Sequence, residues 1–413
     1  MQKENNDYYN YRGSKSFELR KTRLVLRSRF SLKDICAAYI IIWTLTPIIS
    51  ENSLFRALVV VASLVFLLST VPIDKERRIR NYMIASICML LTYLIINFIG
   101  QGTLPIAKII NLFVFVILGY ISLHYHTYED EKFVIYVKLI VLLFVIVCIP
   151  SLIALRSNMF VLRRASGVTV RHGIERYAGA YGFAYGCVFL VSLLVYDLHE
   201  HKKKGKVLIW QLGVIAILTY LIINSGYTTA VVLTVIGIVA ALTISKNPIK
   251  TIIITGIAGV ALVYYIPIIL QYIIRNFDVP LVYQQKLVIL TQVTDSSNSF
   301  AYSDTTRGGL LKMGLDSIVK YPVFGSVLLS GSTSSGGHQE IIDVLANYGV
   351  IYALLFYYVI LGTPYRLSKE DKGVCLLYLT LVIALGLTDT FDFATMSVPL
   401  FLCPYIARKC YVT

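Results

Sequence analysis

Gly337-His338-Gln339-Glu340-Ile341-Ile342-Asp343-Val344-Leu345-Ala346-Asn347-Tyr348-Gly349-Val350-Ile351-Tyr352-Ala353-Leu354-Leu355-Phe356-Tyr357-Tyr358 passes from a polar cluster into an apolar run. The run continues for about twenty residues, the length a helix needs to cross a bilayer. Upstream lies a polar segment, Ser303-Asp304-Thr305-Thr306-Arg307-Gly308-Gly309. An amphipathic stretch follows with Leu311, Leu315 and Ile318 at helical spacing, and then Tyr321-Pro322-Val323-Phe324-Gly325. One arginine, one histidine and several hydroxyls are thereby delivered to the mouth of a membrane helix. The rest of the chain reads as the scaffold around that mouth.

Composition makes the same point for the whole chain. It has 413 residues, 57% of them hydrophobic, and a mean hydropathy of +0.71. Only 15% are charged, against roughly a quarter in a typical soluble domain. Apolar runs of about 17–25 residues recur from Ile35 almost to the end, which predicts an all-α polytopic membrane protein. A porin-like barrel is excluded, because its strands would alternate in polarity. The formal charge of +15 is not a nucleic-acid signal: no DNA- or RNA-binding module is visible, and much of the charge sits in loops between spans. The seven cysteines fall in spans or at their inner ends, so no disulfide framework is expected. The first thirty residues are polar and basic without an early apolar core, and no cleavable signal peptide is expected.

Residues 1–34 read as a cytoplasmic basic tail, suited to resting on anionic lipid, and 35–413 as a single transmembrane domain. Twelve spans are predicted: 35–50, 54–72, 81–99, 105–123, 132–154, 178–197, 207–223, 227–244, 251–274, 340–362, 373–388 and 394–408. With the tail inside, the inner segments hold 25 of the 38 Lys and Arg residues, and four of the six outer connections are short and nearly uncharged. Both termini are therefore expected in the cytoplasm.

Two outer loops break the pattern, 155–177 and 275–339. The first holds Arg156, Arg163, Arg164, Arg171 and Arg176; the second holds Arg275, Lys286, Arg307, Lys312 and Lys320. Outward cations oppose the orientation rule, and a guanidinium fork binds phosphate in a bidentate way that an ammonium does not. Solvated loop charges are the plainer alternative. Arg176 stands at the predicted N-terminal end of span six, where backbone N–H groups and the positive dipole end would add to an anion site. Snorkelling at the interface explains a lone arginine equally well. Arg307 precedes the amphipathic stretch, which would carry it to headgroup depth if it lay on the membrane surface. Lys108 and Arg56, near outer ends of spans four and two, either add to the anion site or snorkel.

His338 stands at the start of a span on the outer side, and imidazole takes a proton from a hydroxyl near neutral pH. Its neighbour Glu340 belongs to the same polar cluster. Asp343 lies inside a span, where ionisable groups are expensive, and is expected to face the bundle interior. It would orient His338 or pair with a loop arginine. Asp389 and Asp392, in the last outer connection, are an alternative base. Tyr177, Tyr181 and Tyr185 are placed to stack on sugars, although an interfacial aromatic belt has the same composition.

The pattern from Gly337 to Gly349 resembles the histidine-containing signature of the O-antigen polymerase/ligase superfamily, in which a large outer loop ends in a histidine before an Asp-x-Leu-x-x-Tyr-Gly helix. Arg307 with Tyr321-Pro322-Val323-Phe324-Gly325 looks like the arginine and Pro-x-x-Gly turn of that loop. Arg176-Tyr177-Ala178-Gly179 looks like the arginine that opens the middle helix. Twelve spans with the long loop between spans nine and ten fit Wzy-type polymerases. The residue likeness covers only about 60 positions. After span seven the family often shows Ser-Arg-Gly, where this chain has Ser225-Gly226-Tyr227, so no arginine is carried over there.

The resemblance implies a GT-C-like helical bundle and a metal-independent glycosyltransferase without cofactor, working on the periplasmic side of a bacterial inner membrane. It implies a donor glycan on undecaprenyl pyrophosphate and the end sugar of a lipid-linked repeat unit as acceptor. Arg176 and Arg307, with Arg171 and Arg164 in the same basic rim, would hold the pyrophosphate, and His338 would deprotonate the attacking hydroxyl. A chain-length regulator, a flippase and membrane lipid are the implied partners. A ligase moving the glycan to lipid A–core is the alternative within the superfamily. A transporter or flippase is the alternative outside it, but that reading calls for ionisable groups deep in several spans, where this chain has few.

Overall fold

The computed structural model describes residues 30–71, 76–157, 161–163, 173–201, 205–225, 227–244, 272, 276, 307–333 and 339–409. Among the described residues the regular structure is entirely helical. In a solvent without water, a helix is the way an open segment satisfies its own backbone N–H and C=O groups.

The first helix, α1 (Leu32–Leu45), starts on a capping box between Ser31 and Asp34. It stops at Thr46, which is extended, because a proline follows. A four-residue turn, α2 (Pro47–Ser50), and an Asn52 cap on the Leu54 N–H at 2.9 Å lead into α3 (Ser53–Thr70). The expected span 35–50 is thus broken at Pro47, and α1 with its 14 residues is about 21 Å long, short of a bilayer core. Four helices follow in order: α4 (Arg77–Gln101), α5 (Ile106–Tyr128), α6 (Asp130–Ser157) and, after 3₁₀ turns at Val161–Arg163 and Gly173–Tyr177, α7 (Tyr181–His201). Next come α8 (Lys206–Asn224) and α9 (Thr228–Thr243). Beyond residue 307 lie α10 (Arg307–Lys320), α11 (Gly325–Ser330) and α12 (Glu340–Phe356), which runs through a π turn into α13 (Gly362–Leu367). The described chain closes with α14 (Lys372–Thr388) and α15 (Phe393–Lys409).

Seven of these helical segments are long and apolar enough to cross a membrane, and three shorter apolar ones accompany them. Eleven of the twelve predicted spans overlap described helices; the ninth, 251–274, lies almost wholly outside the described residues. The two short helices α10 and α11 lie within the expected outer loop 275–339.

α7 is the axis of the bundle: 83% of its apolar window is buried, against 22% for α3 at the edge. α8, α9 and α15 pack directly on α7. On α3 the inward stripe is Val59, Ser63, Phe66 and Thr70, and the outward one is Leu54, Leu58, Val61, Leu64 and Leu68. Both repeat at helical spacing, so a full face of large aliphatic side chains is turned away from the protein. Monomeric soluble proteins rarely expose such a face, whereas lipid accepts it.

One end of the bundle is tied by ion pairs. The buried Asp34 carboxylate accepts from Tyr125 Oη at 2.7 Å, Lys132 Nζ at 2.8 Å and both the N–H and hydroxyl of Ser31 at 2.7 Å. Lys132 also pairs with Glu129 at 2.6 Å, and Lys33 reaches the same carboxylate at 2.5 Å. Arg408 bonds Asp130 and His126. The start of α1 and the end of α15 therefore share this end with the α5–α6 turn. That turn is a charge network binding four helices, α1, α5, α6 and α15. The opposite end gathers the end of α1 and the starts of α3, α5, α7, α12 and α15.

Candidate functional site

The candidate site is built at that opposite end. Arg176 lies in the 3₁₀ turn Gly173–Tyr177, and α7 begins only at Tyr181. The expectation that Arg176 opens span six is thereby corrected: four residues, Tyr177 to Ala180, separate it from the helix start. The reason is local. The Gly179 N–H is taken by the Ser151 hydroxyl at 2.8 Å, and an added Cβ on Gly179 would sit 2.3 Å from the Phe183 ring. The chain is thus pinned to α6 before it turns into α7.

Arg176 is solvent-exposed and lines a cavity of about 530 Å³. The α1–α2–α3 segment contributes Trp43, Glu51, Asn52 and Arg56; α5 contributes Asn111; Phe183 comes from α7, and Asp392 and Phe393 from the start of α15. Two guanidiniums, two carboxyls and two amides therefore border one space. Among the described residues, Trp43 Nε1 and Arg56 Nε are buried donors without a hydrogen-bond partner. Asp392 accepts the Phe393 N–H at 2.6 Å, and burial pushes its carboxyl above the usual range, against the pull of that hydrogen bond. It lies on Gly182, where an added Cβ would be 2.2 Å from the Asp392 Cβ. Arg56, read from sequence as either adding to the anion site or snorkelling, lines this cavity.

A second cluster adjoins the first through residues 389–392. Asp389 is fully buried and accepts hydroxyl hydrogen bonds from Tyr181 and, at 2.6 Å, from Tyr185. Tyr227 packs edge-on against Tyr181 with centroids 4.9 Å apart. Burial pushes the Asp389 carboxyl up to about 7, opposed by the Thr390 N–H. Tyr181 is therefore committed to a carboxylate rather than presented as a bare stacking platform, while Tyr177 is 49% exposed. The connection also ties down α12: the Glu340 N–H donates to the Asp389 carbonyl at 3.2 Å. Lys108, exposed in the first turn of α5, acts on Glu340 through its charge. Asp343 accepts the Gln339 N–H at 3.2 Å, a cap on its own helix, and is only partly buried.

The loop motifs interlock. α12 is kinked at Gly349, whose φ of 75° and ψ of 175° take it out of the helix. The Val350 N–H then bonds the Pro322 carbonyl at 2.9 Å. Gly325, with φ +74°, lies against Asn347, where an added Cβ would meet the carbonyl oxygen at 2.3 Å. Ser317 Oγ donates to the Ala346 carbonyl at 3.1 Å. The Pro322–Gly325 turn and the Asn347-Tyr348-Gly349 run, far apart in sequence, are thus two halves of one contact. On α10 Leu315 of the apolar stripe is exposed, and the described buried positions are the small residues Gly309, Gly314 and Ser317, which let helices approach closely.

Arg307 is the first residue of α10, and its side chain lies outside the described set, as do His338, Arg164 and Arg171 entirely. Of the principal candidates, Arg176 alone has a described side chain. Among the described residues, none lining its cavity comes from α10 or α11. Trp43, Glu51, Asn52 and Asn111 were missed from sequence; a polar Asn111 inside an apolar span was the available signal. No protein-family model matches this sequence, and no match is found among curated proteins.

Proposed function

We propose that this protein is a membrane glycosyltransferase that polymerises polysaccharide repeat units, as in O-antigen or capsule assembly, on the outer face of the bacterial cytoplasmic membrane. The observation that carries the reading is Arg176 exposed at the rim of a polar cavity at the helix end that also holds the start of α12. An arginine beside a hydroxyl-compatible hollow in a lipid-facing bundle suits a donor whose leaving group is a polyprenyl pyrophosphate. In the proposed reaction the acceptor hydroxyl oxygen attacks the anomeric carbon of the donor sugar. The bond from that carbon to the phosphate oxygen breaks, and its electron pair leaves on the pyrophosphate. Arg176, with Arg307 in the role the family resemblance implies, stabilises that charge. His338 takes the hydroxyl proton, a role worth roughly 10²–10⁴-fold. The interlock of Pro322–Gly325 with Gly349 supports the reading, because it couples the motifs on which the resemblance rests.

Gene deletion with complementation tests it. Arg176→Ala and His338→Ala are expected to reduce the surface-glycan ladder to single-repeat caps. An unchanged ladder in both variants removes the proposal. Full-length polymer accumulating on the carrier lipid would instead identify the ligase.

A further inference from the structure

The charge balance of the Arg176 cavity separates its rim from its interior. A pyrophosphate placed inside would meet Glu51 and Asp392 as well as Arg56, and a carboxylate beside a phosphate is unfavourable at short range. A carbohydrate suits the same walls, because each sugar hydroxyl donates one hydrogen bond and accepts others. The interior offers both kinds of partner: Arg56 and the Trp43 indole as donors, Glu51 and Asp392 as acceptors, and Asn111 as both. Buried donors are rarely left unmade, since each costs about 1–3 kcal/mol of desolvation. Two side chains that line this cavity, Trp43 and Arg56, each carry a buried N–H donor (Nε1 and Nε) without a partner among the described residues, and Trp43 is only 2% exposed. The volume of about 530 Å³ lies within the range of small-ligand sites, roughly 300–1,000 Å³.

We infer that the interior of this cavity is a sugar subsite, taking one residue of a glycan end, with Arg56 and Trp43 donating to its hydroxyls and Asp392 accepting from them. The pyrophosphate stays outside, at the Arg176 rim. This deepens the glycosyl-transfer reading and rests on it for the identity of the ligand as a glycan.

The chain has two tryptophans. The second, Trp210, is 54% exposed on α8, near the opposite end of the bundle. A Trp210→Phe protein, full length and purified in detergent, therefore reports from Trp43 alone. It is titrated separately with N-acetylglucosamine, galactose, glucuronate and inorganic pyrophosphate while Trp43 emission is followed. The expected result is a saturable millimolar response to at least one sugar and none to pyrophosphate. Asp392→Asn, which keeps an oxygen to cap Phe393, and Arg56→Gln should each weaken that response about tenfold, as loss of a hydrogen bond to a charged group would. A saturable response to pyrophosphate alone, or no response to any of the four, overturns the subsite. Because the titration needs no turnover, a flat titration beside a glycan ladder lost in Arg176→Ala removes the subsite and leaves the polymerase standing.

Discussion

Gly349→Ala is expected to be among the most damaging single-atom additions to this protein. Two costs combine at the position. The φ of +75° with ψ of 175° lies in a region essentially reserved for glycine, where a Cβ costs about 1–3 kcal/mol. The added carbon would also sit 2.2 Å from the Val323 carbonyl oxygen and 2.6 Å from the Gly325 N. Those are backbone atoms, so no side-chain rotation relieves the overlap. Either the Pro322–Gly325 turn moves off α12 or the kink straightens, and both break the Val350 N–H bond to the Pro322 carbonyl at 2.9 Å. Leaving that N–H unmade costs about 1–3 kcal/mol more, so the total is about 2–6 kcal/mol. Gly102→Ala is the control: its φ of 66° and ψ of 4° are left-handed helical and nothing lies within 4 Å of the added Cβ, so only a conformational cost of about 1–2 kcal/mol applies. Thermal unfolding in detergent and limited proteolysis between residues 320 and 335 measure the difference. If Gly349→Ala unfolds no earlier than Gly102→Ala, the interlock does not hold the loop, and the coupling of the two motifs is wrong.

Asp389 carries a pH dependence. Its folded carboxyl, raised to about 7, binds a proton more tightly than the unfolded chain does, so its contribution to stability is greatest below about 4 and declines as the pH rises to about 7. Asp389→Asn should flatten that part of a melting-temperature profile, and Tyr185→Phe, by removing a donor to the charged form, should move its upper limit further up. At the other end, Lys132→Met leaves the buried Asp34 without its cation and is expected to cost about 3–5 kcal/mol, read as a lowered unfolding midpoint in detergent. Arg176→Lys keeps the charge but not the fork, and the glycan ladder should stay close to that of Arg176→Ala; full recovery by lysine would show that point charge alone suffices.

Much of the fold was legible in the sequence because apolar run length is a local property. A stretch such as 132–154 or 207–223 needs no partner to be recognised as a helix, and the structure puts helices there. The stops that sequence reading missed are equally local in cause yet weaker in signal, such as Pro47 breaking the first span. The candidate site was legible only in part. Arg176 stood out by sitting outside the orientation rule, and the turn and kink residues stood out by their motifs. Arg56 and Asp392 were visible but could not be ranked, and Trp43, with its indole among apolar neighbours, carried no sign at all.

The sequence alone therefore determined an all-helical, membrane-compatible chain and the order of its segments, since burial in lipid is decided residue by residue along each run. Tertiary structure decided that Trp43, Arg56, Asn111, Arg176 and Asp392 share one cavity, and that Gly349 is bent around the Pro322 turn. Those residues come from separate helices, and nothing in a one-dimensional pattern records which ends pack together.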